Sequence, residues 1–248
     1  MPSSPALSDA PPNARRWTLA LERSSRPPSM ALFRGLECVA GRGFPSMAAH
    51  GATAWAGALR DLLDETGVRP SELALLAVGL GPGSFSGTRS AIAFLHGVGL
   101  PARIPLAGVG SAAAAAFAAA RALPAGHTVA VAGDARRSRW WRATFTTLDA
   151  PGTPFGRLLR RALPDPVPPS HDASDFSLVH PDVPSLRSGV PDGATWLEIE
   201  TLVAPALASA LTVPTARHVG ELVLSEPAAA LPAPLPIYLQ PALLPPKR

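Results

Sequence analysis

The stretch from Leu75 to Leu100, LLAVGLGPGSFSGTRSAIAFLHGVGL, sets the tightest limits on how this chain folds. Leu75 to Val78 is a short apolar run closed by Gly79, the pattern of a buried strand. Gly79, Gly81, Gly83 and Gly87, with Pro82 among them, then impose a tight loop, because glycine accepts backbone angles and close approaches that side chains resist. Ser84 or Ser86 can cap the helix that follows, on which Ala91, Phe94, Leu95 and Val98 recur at helical spacing. Strand, glycine loop and helix are therefore one unit.

A loop that opens a helix invites a phosphate-binding reading, since backbone amides at a helix N-terminus bind anions. The spacing fits neither familiar version. A Walker loop closes on Gly-Lys-Ser/Thr, whereas this loop closes on Gly87-Thr88-Arg89 without a lysine. The dinucleotide fingerprint needs a third glycine where Ser86 stands. The competing reading is that the glycines permit close packing of the helix on its neighbours. Beside its apolar face the helix carries a stripe of small residues, Ser90, Ala93 and Gly97. That stripe suits packing against the helix read at Ala49 to Glu65, where Trp55, Leu59, Leu62 and Leu63 share a face, and it equally suits an intermolecular contact.

Around this unit the chain divides into four parts. Residues 1–16, rich in Pro, Ser, Ala and Asn and without periodicity, read as a flexible extension. A first lobe over 17–107 begins with strands at Trp17 to Leu21, Met30 to Phe33 and Glu37 to Ala40, which make an antiparallel meander. A second lobe over 108–226 repeats the order of hairpin, strand and helix. Ser111 caps an alanine-rich helix to Arg121, and Val129 to Ala132 opens a new hairpin. Prolines scattered from Pro151 to Pro191 leave room only for short strands and irregular loops. Glu198 to Ala210 and Thr215 to Ser225 read as two closing helices, the last placed to return to the first lobe. The Pro-rich tail 227–248 is expected to run over the surface.

Composition narrows the classes. Hydrophobic residues at 47% are ample for a core, and no apolar run approaches the roughly 20 residues of a membrane span. The single cysteine, Cys38, excludes an intramolecular disulfide and a multi-cysteine metal site, which fits a reducing cytoplasm, and no secretion signal opens the chain. A net charge of +4 and a pI near 10.4 leave a nucleic-acid partner open. The most basic and aromatic patch is Arg136-Arg137-Ser138-Arg139-Trp140-Trp141-Arg142, which suits either phosphate and base contacts or a strand whose tryptophans face opposite ways. His50 is read as a helix-end cap or packing residue. His171, Asp172, Asp175 and His180 match no metal-ligand spacing and read as a polar loop.

The motif GPGSFSGTR, that is Gly81, Pro82, Gly83, Ser84, Phe85, Ser86, Gly87, Thr88 and Arg89, followed by IAFLHGVGL and PLAGVGS, resembles the GPGSFTGxR signature of the TsaB (YeaZ) family. LALERSSRPPSMAL at Leu19 to Leu32, VAGDARRSRWWRATF at Val131 to Phe145 and PIYLQ at Pro236 to Gln240 resemble its first hairpin, its DAR hairpin and its closing segment. The resemblance implies an α/β protein of the actin-like, Hsp70-like ATPase (ASKHA) fold, two lobes of mixed sheet flanked by helices. It implies a non-catalytic subunit that pairs with and activates TsaD in forming N6-threonylcarbamoyladenosine at position 37 of tRNA. TsaE would be an ATPase partner, TsaC would make the adenylate, and tRNA would be met indirectly through the complex. A homodimer would form where TsaD is absent.

The resemblance also assigns residues. Trp55, Leu59, Gly87, Ser90, Ala93, Phe94 and Gly97 are the implied partner interface. Glu22, Ser29, Asp134 and Arg136 are remnants of a degenerate nucleotide site. The family usually has aspartate where Glu22 stands, and the following Pro27-Pro28 lacks a glycine, so Glu22 is read as a solvated residue at a strand end. Leu80 and Gln240 are further departures. No cofactor is expected on this chain, with ATP and metal expected on TsaD and TsaE. The six histidines contain no HxxxH or HxExH pair and no serine sits in a GxSxG elbow, so the TsaD metal motif and a hydrolase site are both missing. Two rival readings stand: a stand-alone nucleotide-binding enzyme of the same fold, and a direct tRNA-binding module using Arg136 to Arg142.

Overall fold

The computed structural model describes residues 16–44, 51–153, 155–161, 173–199, 210–226 and 234–239. His50, His171, Asp172 and Gln240 lie outside the described residues. In chain order the elements are β1 (Trp17–Glu22), β2 (Ser29–Arg34), β3 (Glu37–Gly43), α1 (Gly51–Thr66), β4 (Leu73–Gly79), α2 (Phe85–Gly99), β5 (Leu106–Val109) and α3 (Ser111–Ala120). There follow β6 (Thr128–Arg136), β7 (Arg139–Asp149), β8 (Arg157–Arg161), β9 (Ser177–Val179), α4 (Val183–Arg187), β10 (Thr195–Ile199), β11 (Ala210–Leu211) and α5 (Ala216–Ser225).

The strands form two mixed sheets. The first has the order β3-β2-β1-β4-β5, with the meander antiparallel and β4 and β5 joined in parallel to β1. The second has the order β11-β10-β6-β7-β8, with β6 to β8 antiparallel and β10 and β11 parallel to β6. Read from the meander edge, the two orders are the same, so the fold is the duplicated, actin-like α/β architecture.

Side-chain alternation decides which layer each strand residue joins. Leu19, Leu21, Met30, Leu32, Leu76 and Val78 face α1 and α2, where Trp55, Leu62, Ala91 and Leu95 complete one core. Ala20, Ala31, Phe33 and Ala77 face the opposite way, into a second core with the alanines of α3, Val219, Leu222 and Val223 of α5, and Val129, Val131, Trp141 and Phe145 of the second sheet. Two helices therefore lie between the sheets. Alanine along α3 keeps that middle layer thin enough for both sheets to reach it. Full burial of each large side chain contributes roughly 1.5–3 kcal/mol.

Three expectations are corrected. Glu198 and Ile199 belong to β10 and Ala210 to β11, not to one helix, and the residues between them are outside the described set. Ser111 does not cap α3; Gly110 holds that position, and the Ser111 hydroxyl is used elsewhere. The closing segment does not merely cross the surface, because Ile237 is buried and its N–H donates to the Leu80 carbonyl at 2.9 Å. Among the described residues, no helix is long and apolar enough to cross a membrane.

Candidate functional site

Glu22 ends β1 fully buried, not solvated as its place at a strand end suggests. Its Oε1 accepts the Ser24 N–H, and its Oε2 accepts the Ser111 hydroxyl at 2.6 Å. Ser111 Oγ in turn accepts the Gly81 N–H at 3.0 Å. One carboxyl thus ties the first hairpin to the signature loop through the first residue of α3. Burial raises its affinity for a proton, an effect the hydrogen bonds from Ser111 and Ser24 partly offset. Gly79 makes the arrangement possible, since a Cβ there would stand 1.8 Å from Glu22 Oε2 and 2.7 Å from Ser111 Oγ.

The hairpin backbone lies directly on the loop. The Ser84 N–H donates to the Ser24 carbonyl at 2.6 Å, and a Cβ on Gly83 would come within 2.2 Å of that oxygen. Ser84 is the N-cap of α2, its hydroxyl accepting the Gly87 N–H at 3.2 Å while its carbonyl accepts the Thr88 N–H at 2.9 Å. The N–H groups of Gly81, Ser84, Gly87 and Thr88 are therefore engaged within the chain. A phosphate loop needs such donors directed at its ligand. In this loop the glycines serve close packing, the second of the two readings the spacing leaves open.

The four proposed nucleotide-site residues do not converge. Glu22 is interior, and Ser29 Oγ accepts the Ala216 N–H at 2.9 Å, satisfying the first turn of α5. Asp134 and Arg136 sit together on the β6–β7 hairpin, Asp134 Oδ1 accepting the Arg136 N–H at 2.6 Å and Oδ2 facing Arg136 Nη1 at 3.0 Å. They do meet the signature loop. Pro82, Gly83, Phe85 and Thr88 from one side, Asp134 to Arg137 and Trp141 from the other, and Pro236 to Leu239 at the end enclose a cleft of about 220 Å³. The turn over this cleft is strained: Arg136, Arg137 and Ser138 have φ of +65°, +53° and +54°. Left-handed geometry costs about 1–2 kcal/mol at each such residue.

The implied interface separates into two groups. Ser90, Ala93 and Gly97 are exposed on α2, and a Cβ on Gly97 would meet nothing within 4 Å, so the stripe is not used for packing on α1. Trp55 and Leu59, at 4% and 9% exposure, belong instead to the core, and Gly87 is buried beneath the hairpin with the Arg23 carbonyl 2.5 Å from where its Cβ would be. Phe94 is half-buried, its ring edge-on to Trp55 at 5.5 Å. Sequence periodicity separates an apolar face from a small one, but it does not tell which of the apolar residues are capped by a second helix.

Sequence reasoning misses Tyr238 and the use of Phe85. These two rings, 45% and 48% exposed, stack at 5.0 Å with an interplanar angle of 34°. The Arg89 guanidinium lies 5.1 Å over Phe85. The pair separates the cleft from a broader groove of about 830 Å³ between α2 and the closing segment, lined by Arg89, Ala93, His96 and Leu235. An aromatic on each of two widely separated motifs, GPGSFSGTR and PIYLQ, is the signal that points to it. In the basic patch, Trp141 is buried against Phe176 and Trp140 faces the opposite layer with Leu186, as strand alternation requires. Arg142 donates to the carbonyls of Leu186 and Ser188, both at 2.6 Å, so it is structural, whereas Arg136, Arg137 and Arg139 are exposed. Asp175 pairs with Arg161 at 3.2 Å, and the described residues contain no group of His, Cys, Asp or Glu suited to a metal ion.

A family model described as TsaD, tRNA N6-adenosine threonylcarbamoyltransferase, matches residues 44–154. Among solved structures, an uncharacterized protein with similarity to peptidase YEAZ from Pseudomonas aeruginosa is 24% identical, with a TM-score of 0.65 over 91% of this chain and 100% of that one. YeaZ from Pseudomonas aeruginosa, also 24% identical, gives a TM-score of 0.64 over 90% and 99% of the two chains. No curated protein matches the sequence. The duplicated sheets and these likenesses define a two-lobed protein of the actin-like (ASKHA) class. The family-model match lies over residues 44–154, and the two solved structures show that the chain has the fold of YeaZ.

Proposed function

We propose that the chain is a non-catalytic, cytoplasmic subunit in tRNA adenosine modification, pairing with TsaD and holding it in the arrangement that transfers a threonylcarbamoyl group. The observation that carries this reading is the engagement of the glycine loop's backbone donors by the chain's own Ser24, Ser84 and Ser111. With the N–H groups of Gly81, Ser84, Gly87 and Thr88 so occupied, the loop gives shape and rigidity to α2. It presents Ser90, Ala93 and Gly97 on an open helix face, where a partner helix can approach closely. Differential binding to one arrangement of TsaD is then enough to activate it without chemistry on this chain. In the absence of TsaD the same face would accept a second copy of this chain.

Co-expression with the cognate TsaD, followed by co-purification and nucleoside analysis of tRNA, tests the proposal. A stable complex and loss of threonylcarbamoyladenosine on depletion are expected. Absence of both overturns it. Gly97→Leu, which fills the open stripe without entering the core, should weaken complex formation about tenfold or more, as truncating or obstructing a central interface contact does.

A further inference from the structure

We propose that the cleft between the signature loop and the β6–β7 turn holds a nucleotide of single-stranded RNA, with its phosphate against Arg136 and Arg137 and its base against the Phe85–Tyr238 pair. This rests on the reading of the chain as part of a tRNA-modifying assembly and gives it a direct contact with the substrate. Asp134, Ala135, Arg136 and Arg137 all line the cleft, although strand alternation would send successive side chains to opposite faces. The left-handed turn at Arg136, Arg137 and Ser138 brings them to one side. Among the described residues the lining carries one carboxylate, Asp134, whose charge Arg136 balances, so Arg137 leaves the turn positive and the exposed Arg139 extends that surface.

The opposite wall has the chemistry of a base platform. Phe85 and Tyr238 are large, nearly half-exposed rings, with Arg89 over one of them. Bases stack on exposed aromatics and guanidinium planes without needing a particular sequence. The cleft of about 220 Å³ shares Phe85, Pro236, Tyr238 and Leu239 with the broader groove beside α2, so a strand entering the cleft has a surface along which its next unit can continue.

Fluorescence anisotropy of the full chain with an unmodified tRNA transcript, and with a short single-stranded oligoribonucleotide of anticodon-loop sequence, tests this across a salt series. Both RNAs should bind, more weakly as salt rises. The double substitution Arg136→Ala with Arg137→Ala should flatten the slope of log affinity against log salt by about 0.7, the value for one phosphate contact on a single strand. Tyr238→Ala should weaken binding about tenfold with the slope kept, since it removes stacking and not charge. Both variants should retain the wild-type melting temperature and co-purify with TsaD. Unchanged RNA affinity in both variants overturns the proposal, as does failure of the wild-type chain to bind either RNA. Displacement of the oligonucleotide by ATP at equal phosphate concentration would instead make the cleft a mononucleotide site. Loss of TsaD pairing in the variants would make it a protein interface, and either result overturns the proposal. RNA binding through the cleft by a chain that fails to pair with TsaD would leave this inference standing and overturn the pairing.

Discussion

The β1–β2 and β6–β7 hairpins occupy the same place in their sheets: the first strand of each is central, with an antiparallel partner on one side and a parallel strand on the other. At the first tip Glu22 is buried and joined to Ser24 and Ser111, while at the second Asp134 bonds back to Arg136 at the edge of an open cleft. The first tip meets a loop stripped of side chains at Gly79 and Gly83, so hairpin and loop close on each other. The second tip instead curls over the cleft through three left-handed residues and keeps its arginines in solvent. Equal topology thus yields a sealed joint in one lobe and an open mouth in the other, and small residues in the facing loop decide which.

The largest expected effect comes from unsealing the joint. In Gly83→Ala the added carbon meets the Ser24 carbonyl oxygen at 2.2 Å, a backbone contact that no rotamer relieves. A loss of about 3 kcal/mol in urea denaturation is expected, at the upper end of overpacking costs. Glu22→Ala should follow at about 2 kcal/mol, because it leaves the Ser24 N–H and the Ser111 hydroxyl without their acceptor. A stability within experimental error of wild type in either variant would dissolve the contrast between the lobes.

The buried carboxyl also sets a pH dependence. Its folded-state affinity for a proton is raised by burial above the ordinary value of 4.5. Below that value both states hold the proton and the stabilising contribution is whole. As pH climbs above it, the unfolded chain ionises while the folded chain keeps its proton, so stability falls until the raised value is passed. Glu22→Gln removes the titrating proton while keeping an acceptor oxygen at this position, and should remove this descent. Denaturation midpoints of the two proteins from pH 4 to pH 8 should therefore converge at low pH and separate as it rises; parallel curves would show that Glu22 is not the titrating group.

The joint was only half legible in the sequence. Glycines between an apolar run and a helical period mark the β4–loop–α2 unit, and the meander and the second hairpin follow from alternation and turn residues. The burial of Glu22 leaves no local trace, because its partner Ser111 stands 89 positions further on. A glutamate after Trp17 to Leu21 reads as the point where a strand reaches water, and only the tertiary return of α3 reverses that. Likewise β10 is masked by Glu198, which interrupts an apolar run and suggests a helix start, and the docking of Ile237 is a backbone hydrogen bond to Leu80 with no sequence signature. The small stripe was visible as a pattern, but its exposure was not, since either face of α2 could have met α1.

At the open tip the expected effects are smaller, and the first has the opposite sign. Ser138→Gly removes a side chain from a residue at φ +54°, so the turn should gain about 1 kcal/mol, seen as a rise in melting temperature. A fall would mean that the Ser138 side chain makes a contact that outweighs the strain.

Asp134→Asn should change least. The amide oxygen still accepts the Arg136 N–H that Oδ1 now accepts at 2.6 Å, and what is lost is the ion pair to a guanidinium that is largely in solvent. Exposed pairs of this kind contribute about 0–1 kcal/mol, so a shift of no more than about 0.5 kcal/mol is expected. The same change takes the carboxylate of Asp134 off the lining of the cleft, and oligoribonucleotide affinity should therefore rise while stability stays level. A destabilisation as large as that of Glu22→Ala would show the second tip to be sealed like the first; a fall in affinity would mean that Asp134 holds Arg136 in its binding position and that the two residues act as one.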